Sequence, residues 1–265
     1  MKVLWLFAHP EPGSLGGALH EEGLRTLREQ GHEYRSSDLY AMRWNPVVDH
    51  ADFGHDPTRR LVVGAESGSA YRSGGLSADI RAEQDKLEWA DALVVQFPLW
   101  WYGMPAILKG WFDRVFVKGF AYGVTDPDSG NTLRYGEGRL AGKRAMVLVT
   151  AGAREPSMSA RGVNGQLEHL LFPLQHGTLW YSGMAVLPPL AVYGADRVSA
   201  AEYAAAAARV RERVSSLPET EPLPFRYQNG GDYDEQLVLR PGLAKGRGGL
   251  DVHYDWQQDL RHLAG

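Results

Sequence analysis

Apolar residues in this chain fall into short continuous runs, separated by stretches whose apolar positions recur with a helical period. The runs at 2–8 (KVLWLFA), 92–97 (ALVVQF) and 143–150 (KRAMVLVT) predict strands covered on both faces. EYRSSD at 33–38 predicts a short second strand, and AVLPPLAV at 185–192 a fifth. Helices are expected over 14–30, 77–90, 105–117, 167–174 and 200–217. The first carries Leu15, Ala18, Leu19, Leu24 and Leu27 along one side, and the second opens on the capping pattern Ser77-Ala78-Asp79. Residues 46–78 show little periodicity and read as a long polar loop. The Gly/Asp/Asn-rich stretch 123–142 reads as a hairpin or a mobile loop. Strands alternating with helices predict the α/β class: a doubly wound, parallel, five-stranded sheet with helices on both faces. Past residue 217 the chain becomes rich in Pro and Gly, with one strand-like run at 236–239. The expected organisation is a domain at 1–217 and an irregular extension at 218–265 packed on it.

Composition narrows the chemistry. The chain has no cysteine, which excludes disulfides, thiolate metal sites and a cysteine nucleophile. Its nine histidines show no ligand-like spacing, so no metal is expected. A net charge of −4 gives no electrostatic case for nucleic acid or an anionic membrane. The first apolar run is too short for a signal peptide, and no segment reaches membrane-spanning length; the expected compartment is the cytoplasm.

Candidate chemistry sits where the strands end. Ligands of open α/β sheets bind outside the carboxyl ends of the strands. After the third strand, Pro98 stops the apolar run and Leu99, Trp100, Trp101 and Tyr102 follow. Such aromatics form a core lid or a wall against a flat, conjugated ligand. After the first strand, HPEPGSLGGAL opens a helix with Gly13, Ser14, Gly16 and Gly17. A helix amino terminus offers unpaired N–H groups to a phosphate, although a serine-capped start without ligand is the commoner occurrence. The pattern is neither a GxGxxG fingerprint nor a Walker loop. After the fourth strand, Thr150, Ala151, Gly152 and Ala153 are small enough to let backbone amides approach a planar ring. Phosphate at the first loop, with a ring between the other two, is the layout of a flavodoxin-like flavin site.

Three stretches carry a resemblance to the NAD(P)H:quinone oxidoreductase family of dimeric FAD enzymes. They are SSDLYAMRWNPVVD (36–49), residues 74–122 and FPLQHGTLWYSGMAVLPP (172–189). The resemblance implies a flavodoxin-like fold, FAD in preference to FMN, and NAD(P)H as co-substrate. His9, Ser14, Leu15 and Ala18 match flavin-phosphate positions, and Gly16 replaces the usual asparagine. Pro98, Leu99, Trp100, Trp101 and Tyr102 match the loop along the ring, with Trp100 in place of a glutamine. Thr150 and Gly152 match the fourth-strand loop. Tyr122 and Tyr181 stand where the partner subunit of a homodimer supplies aromatics to the substrate pocket, and Val124 replaces a third. Better-known members carry a tyrosine and a histidine as a charge relay; Ser159 and Asn164 stand there. Asn164 cannot titrate. Tyr102, Asn164 and Ser159 are the expected catalytic-site residues.

The expected activity is hydride transfer from NAD(P)H through the flavin to a quinone or similar flat aromatic, by a ping-pong cycle. The altered relay and Trp100 also permit tailoring of a polycyclic aromatic metabolite, or azo- or nitro-reduction. A flavin-binding regulatory subunit is the non-enzymatic alternative.

Overall fold

The computed structural model describes residues 1–256, so the last nine positions of the expected extension lie outside the described residues. Strands β1 (Lys2–Phe7), β2 (Glu33–Asp38), β3 (Ala92–Pro98) and β6 (Arg144–Ala151) pair in parallel in the order β2-β1-β3-β6. Helices α1 (Leu15–Glu29), α3 (Ala78–Trp89) and α4 (Ala106–Val115) supply crossovers. The fifth strand position is filled in two pieces, β7 (Ala185–Val186) and β8 (Leu190–Tyr193), both parallel to β6. A single strand over 185–192 was expected. Pro188 and Pro189 interrupt it because proline has no N–H to give to the ladder. The result is the flavodoxin-like order 2-1-3-4-5.

Alternation along the central strands builds two cores. Val3, Trp5, Phe7, Val94, Met146 and Leu148 face α1 and α6 (Ala200–Ser215). Leu4, Leu6, Leu93, Val95, Val147 and Val149 pack with residues of α3, α4 and α5 (Leu167–Leu174) on the other face. Helix α6 starts with a full capping box between Ser199 and Glu202. Ser77 stands at the N-cap of α3 as expected, but its hydroxyl donates to the Asp79 side chain (2.6 Å) and caps no backbone group.

Three further segments depart from the sequence reading or sharpen it. Within the expected loop 46–78 lies helix α2 (Val63–Ser73). Its sequence, VGAESGSAYRS, is poor in helix formers, yet its small residues Ser67, Gly68 and Ala70 are buried, Gly68 against Lys118. Close packing there overrides weak propensity. The stretch 123–142 contains a hairpin, with β4 (Val124–Thr125) antiparallel to β5 (Thr132–Leu133). The run 236–239 is not a strand: Leu237 is left-handed (φ 62°), and the Asp234 carboxylate accepts the N–H groups of Gln236 and Val238. This Asp-centred turn leaves the run a single antiparallel bridge, Leu239 to Tyr233. In the extension, Phe225 and Tyr254 are buried in the same core as α4 and α5.

One buried side chain ties the layers together. Gln96 on β3 is 1 % exposed. Its Oε1 accepts the Trp5 indole N–H (2.8 Å), and its Nε2 donates to the Gly16 carbonyl (2.7 Å). Replacing Gln96 by leucine leaves a buried donor and a buried acceptor unpaired, which costs about 2 kcal/mol or more. Denaturant unfolding is expected to show that loss, with a native fold retained by circular dichroism. An unchanged midpoint contradicts the role given to Gln96.

Candidate active site at the carboxyl edge of the sheet

Parallel register brings the ends of β1, β3 and β6 to one edge. Phe7 pairs with Gln96, and Pro98 with Thr150. The Leu99 N–H donates to the Thr150 carbonyl (2.8 Å), which binds the second loop to the third. The first loop meets the second through His9, whose ring lies 6.1 Å from that of Trp100. The expected loop residues from β1, β3 and β6 are therefore neighbours in space.

The first loop is a serine-capped helix start. Ser14 is the N-cap of α1, and its Oγ accepts the Gly17 N–H (3.1 Å). Gly17 is obligatory, because a Cβ there would lie 2.0 Å from the Pro12 carbonyl oxygen. Gly16 is not: its Cβ would make only ordinary contacts at 3.6 Å with His9 and Ser14. Leu15 and Ala18 are half-buried on the first turn. The His9 Nδ1 accepts the Glu11 N–H (3.0 Å), and the Glu11 carboxylate accepts the Gly13 N–H (2.8 Å). A carboxylate of the chain's own thus sits on one amide of the loop, which demonstrates that this amide is oriented toward negative charge.

The second loop is a tight turn closed by paired bonds between Trp100 and Gly103, each 3.0 Å. Its central residues, Trp101 (φ 48°) and Tyr102 (φ 61°), are both left-handed. Two positive φ values define the hairpin turn that favours Asn-Gly. Here the two most strained positions carry two large aromatics, at about 1 kcal/mol each. The Trp101 side chain gains no burial in exchange, being 96 % exposed; Trp100 and Tyr102 are about half exposed. The core-lid alternative for Trp101 is therefore excluded.

The third loop closes the edge. Thr150 and Ala151 are buried, and Gly152 lies against the exposed Asp196 carboxylate, 2.5 Å from where a Cβ would stand, so a larger residue there would have to turn that side chain aside. The Ala153 carbonyl accepts the Gly194 N–H. Further along, Asn164 Oδ1 accepts the Tyr102 hydroxyl (3.0 Å), and its Nδ2 donates to the Ser157 hydroxyl (3.0 Å). Tyr102 and Asn164 are thus joined as neighbours. Ser159 lies outside these hydrogen bonds: its hydroxyl donates to the Pro156 carbonyl (2.8 Å), and Ser157 is the serine bonded to Asn164. Ser157 and Gln96 escaped the sequence reading. Ser157 lies in a single 3-10 turn, Glu155–Met158, too short to show periodicity, and Gln96 is a lone amide inside an apolar run.

Tyr122 and Tyr181 come together in a separate cavity of about 450 Å³, with Met104, Phe112 and Phe116. Trp100, Trp101 and Tyr102 of the same chain do not line it. Val124 is half-buried in β4 and is also not a lining residue. His176 and His169 stay outside the edge: His176 stacks on Phe172 (4.5 Å), and His169 contacts the Asp251 carboxylate (2.9 Å). Among the described residues no group of His, Asp and Glu could hold a metal ion, and no helix is long and apolar enough to cross a membrane.

The strained turn yields a prediction. The double substitution Trp101→Asn, Tyr102→Gly supplies the residues the turn favours and is expected to raise stability by about 1–2 kcal/mol. Thermal unfolding measures this as a higher Tm; a lower Tm contradicts the assignment of strain to these positions.

Comparison with known proteins agrees with this geometry. A family model described as a flavodoxin-like fold matches residues 1–214. A ribosyldihydronicotinamide dehydrogenase-like protein of Penicillium crustosum is 47% identical over 237 residues, covering 88% of this chain and 87% of that protein. The ribosyldihydronicotinamide dehydrogenase [quinone] of Mus musculus is 38% identical, covering 84% of this chain and 94% of that protein. A crystal structure from Klebsiella pneumoniae, assigned as a quinone reductase, is 51% identical with a TM-score of 0.93, covering 96% of this chain and all of that one. A fold-family match over most of the chain, together with relatives of this identity and coverage, establishes that the chain belongs to the flavodoxin-like NAD(P)H:quinone oxidoreductase family.

Proposed function

We propose that the chain is a flavin-dependent oxidoreductase, working as a homodimer, that passes hydride from NAD(P)H to a quinone or similar flat aromatic. The observation that carries this reading is the strained turn presenting a bare Trp101 beside a glycine-opened helix start. A flat ring with a phosphate tail matches both features, and FAD is preferred to FMN on the family resemblance. The names of the relatives support a reduced nicotinamide as donor and a quinone as acceptor.

The residues divide the work. The amides of the α1 start and the Ser14 hydroxyl would hold phosphate, with the Glu11 carboxylate displaced from the Gly13 N–H. Trp101 and Tyr102 would cover the ring and exclude water, and the third loop would approach its polar edge. Bound flavin supplies the two-electron chemistry. Overall, NAD(P)H, a proton and a quinone give NAD(P)⁺ and hydroquinone, the two substrates using one slot in turn. The Tyr102–Asn164–Ser157 chain holds the Tyr102 hydroxyl proton in a fixed direction, toward Asn164 Oδ1. Tyr122 and Tyr181 would complete the slot of a second copy, consistent with their separation from the Trp101 turn within one chain.

Flavin-supplemented protein is expected to sediment as a dimer and to oxidise NAD(P)H when menadione is present. Ser14→Glu places a second carboxylate at the helix start and is expected to lose both flavin and activity. A fully active monomer, or unchanged flavin occupancy in Ser14→Glu, contradicts the reading.

The absence of a titrating partner at Asn164 gives a further expectation. Stopped-flow reduction and reoxidation should show no histidine-like break near pH ~6.5. Asn164→His is expected to introduce one, with a rate effect of at most that of a general acid–base group, about 10²-fold or somewhat more. A break in the wild type that Asn164→His leaves unaltered contradicts this placement.

A further inference from the structure

A second cavity, of about 340 Å³, lies between the π-helical turn Gln175–Trp180 that continues α5 and the C-terminal extension. The aromatic side chains of Tyr135, Phe172 and Tyr233 line it, with the imidazoles of His176 and His253 and the cation of Arg134. None of the sheet-edge loop residues and none of the residues around Tyr122 contributes to it. It is distinct from the proposed flavin slot, and its size is at the lower end for small-molecule pockets.

Its walls are flat. His176 lies parallel on Phe172 (4.5 Å, 17°), and Tyr233 parallel to His253 (6.0 Å, 19°). Tyr135 adds a ring 4.9 Å from His176. The His176 side chain makes no hydrogen bond to protein among the described residues. Burial pushes its pKa down to about 4, so at neutral pH it is an uncharged group with both a donor and an acceptor nitrogen. His253 is shifted in the same direction by burial, and its Nδ1 is 2.9 Å from the Tyr233 hydroxyl.

The charge balance of the lining leaves one cation over. Arg226 is offset by Asp232 and Asp255. Arg134 donates through Nε to the Gln228 side chain, and its terminal nitrogens have no partner among the described residues. A guanidinium with free N–H groups, beside stacked rings, recognises a planar anion.

We propose that this cavity binds a flat aromatic molecule bearing one negative charge, an aryl carboxylate being the simplest case. The rings take the aromatic face, Arg134 takes the carboxylate, and the free nitrogens of His176 bond any ring substituent. The proposal stands on the cavity and does not require flavin binding. It nevertheless has a route to the substrate pocket. The Tyr135 N–H donates to the Tyr181 carbonyl (3.1 Å), and the two rings meet edge to face at 5.0 Å. A ligand against Tyr135 therefore rests on the back of a substrate-pocket wall.

Calorimetric titration of the full chain with 2-naphthoate tests this. One molecule is expected to bind per chain, and the neutral isostere 2-naphthamide to bind about tenfold more weakly or worse. Arg134→Gln is expected to lower naphthoate affinity by a similar factor and to leave naphthamide affinity little changed. His176→Trp, which fills the cavity, is expected to abolish binding of both. Trp101→Ala in the sheet-edge turn is expected to leave both affinities intact. Thermal unfolding of each variant confirms that it is folded, and the Trp101→Ala arm keeps the test decisive if a cavity variant fails to fold. No naphthoate binding by the wild type, equal affinity for acid and amide, or loss on Trp101→Ala with retention on Arg134→Gln, each overturns the proposal.

Discussion

The buried amide of Gln96 is the constraint from which the edge of the sheet takes its geometry. It stands on β3 two residues before the strand's end and reaches sideways to the Gly16 carbonyl in the first turn of α1. Its other end is fixed by the Trp5 indole on β1. The start of α1 therefore cannot slide relative to the strand that carries the aromatic turn. The Leu99–Thr150 backbone bond sets the third loop in the same frame. Against so rigid a base the chain can hold Trp101 and Tyr102 in left-handed conformations that an isolated hairpin would reject. The stored strain and the bare tryptophan belong to one turn, the one to which the proposed function gives the flat ligand.

Asn164 shapes the polar side of that face. It accepts from Tyr102 and donates to Ser157, so the amide satisfies both neighbours without carrying a charge at any pH. A histidine in this place could exchange a proton with the surroundings as charge builds on a bound ring. The amide only orients dipoles. On the proposed function the protein would contribute binding, orientation and exclusion of water, and the cofactor the electron transfer.

Much of this was legible in the chain. The apolar runs at β1, β3 and β6 have strand length, and buried parallel strands have no other way to read. Ser14, Trp101 and Gly152 were identifiable because they follow those runs, and loops after parallel strands share one edge. Asn164 required the family resemblance, since no local pattern marks it. Other features depended on distant partners. Helix α2 forms because Gly68 and Ala70 fit against neighbours far along the chain, which a window of weak helix formers does not reveal. The break at Pro188-Pro189 was visible as residues, but the apolar run around it suggested one strand. That Ser157, and not Ser159, bonds Asn164 depends on the local turn, which directs the Ser159 hydroxyl to the Pro156 carbonyl. Gln96 carries no signal within its apolar run, since its two partners lie 91 and 80 residues away in the chain.

Hydrogen–deuterium exchange of the full chain with and without FAD tests the central claim most directly. Protection is predicted at 13–18, 99–104 and 150–153, the three loops that the parallel register and Gln96 bring together. Protection absent from these loops and concentrated instead around 134–135, 172–176 and 226–237 would contradict the account, by showing that the strained aromatic turn is not where the ring binds.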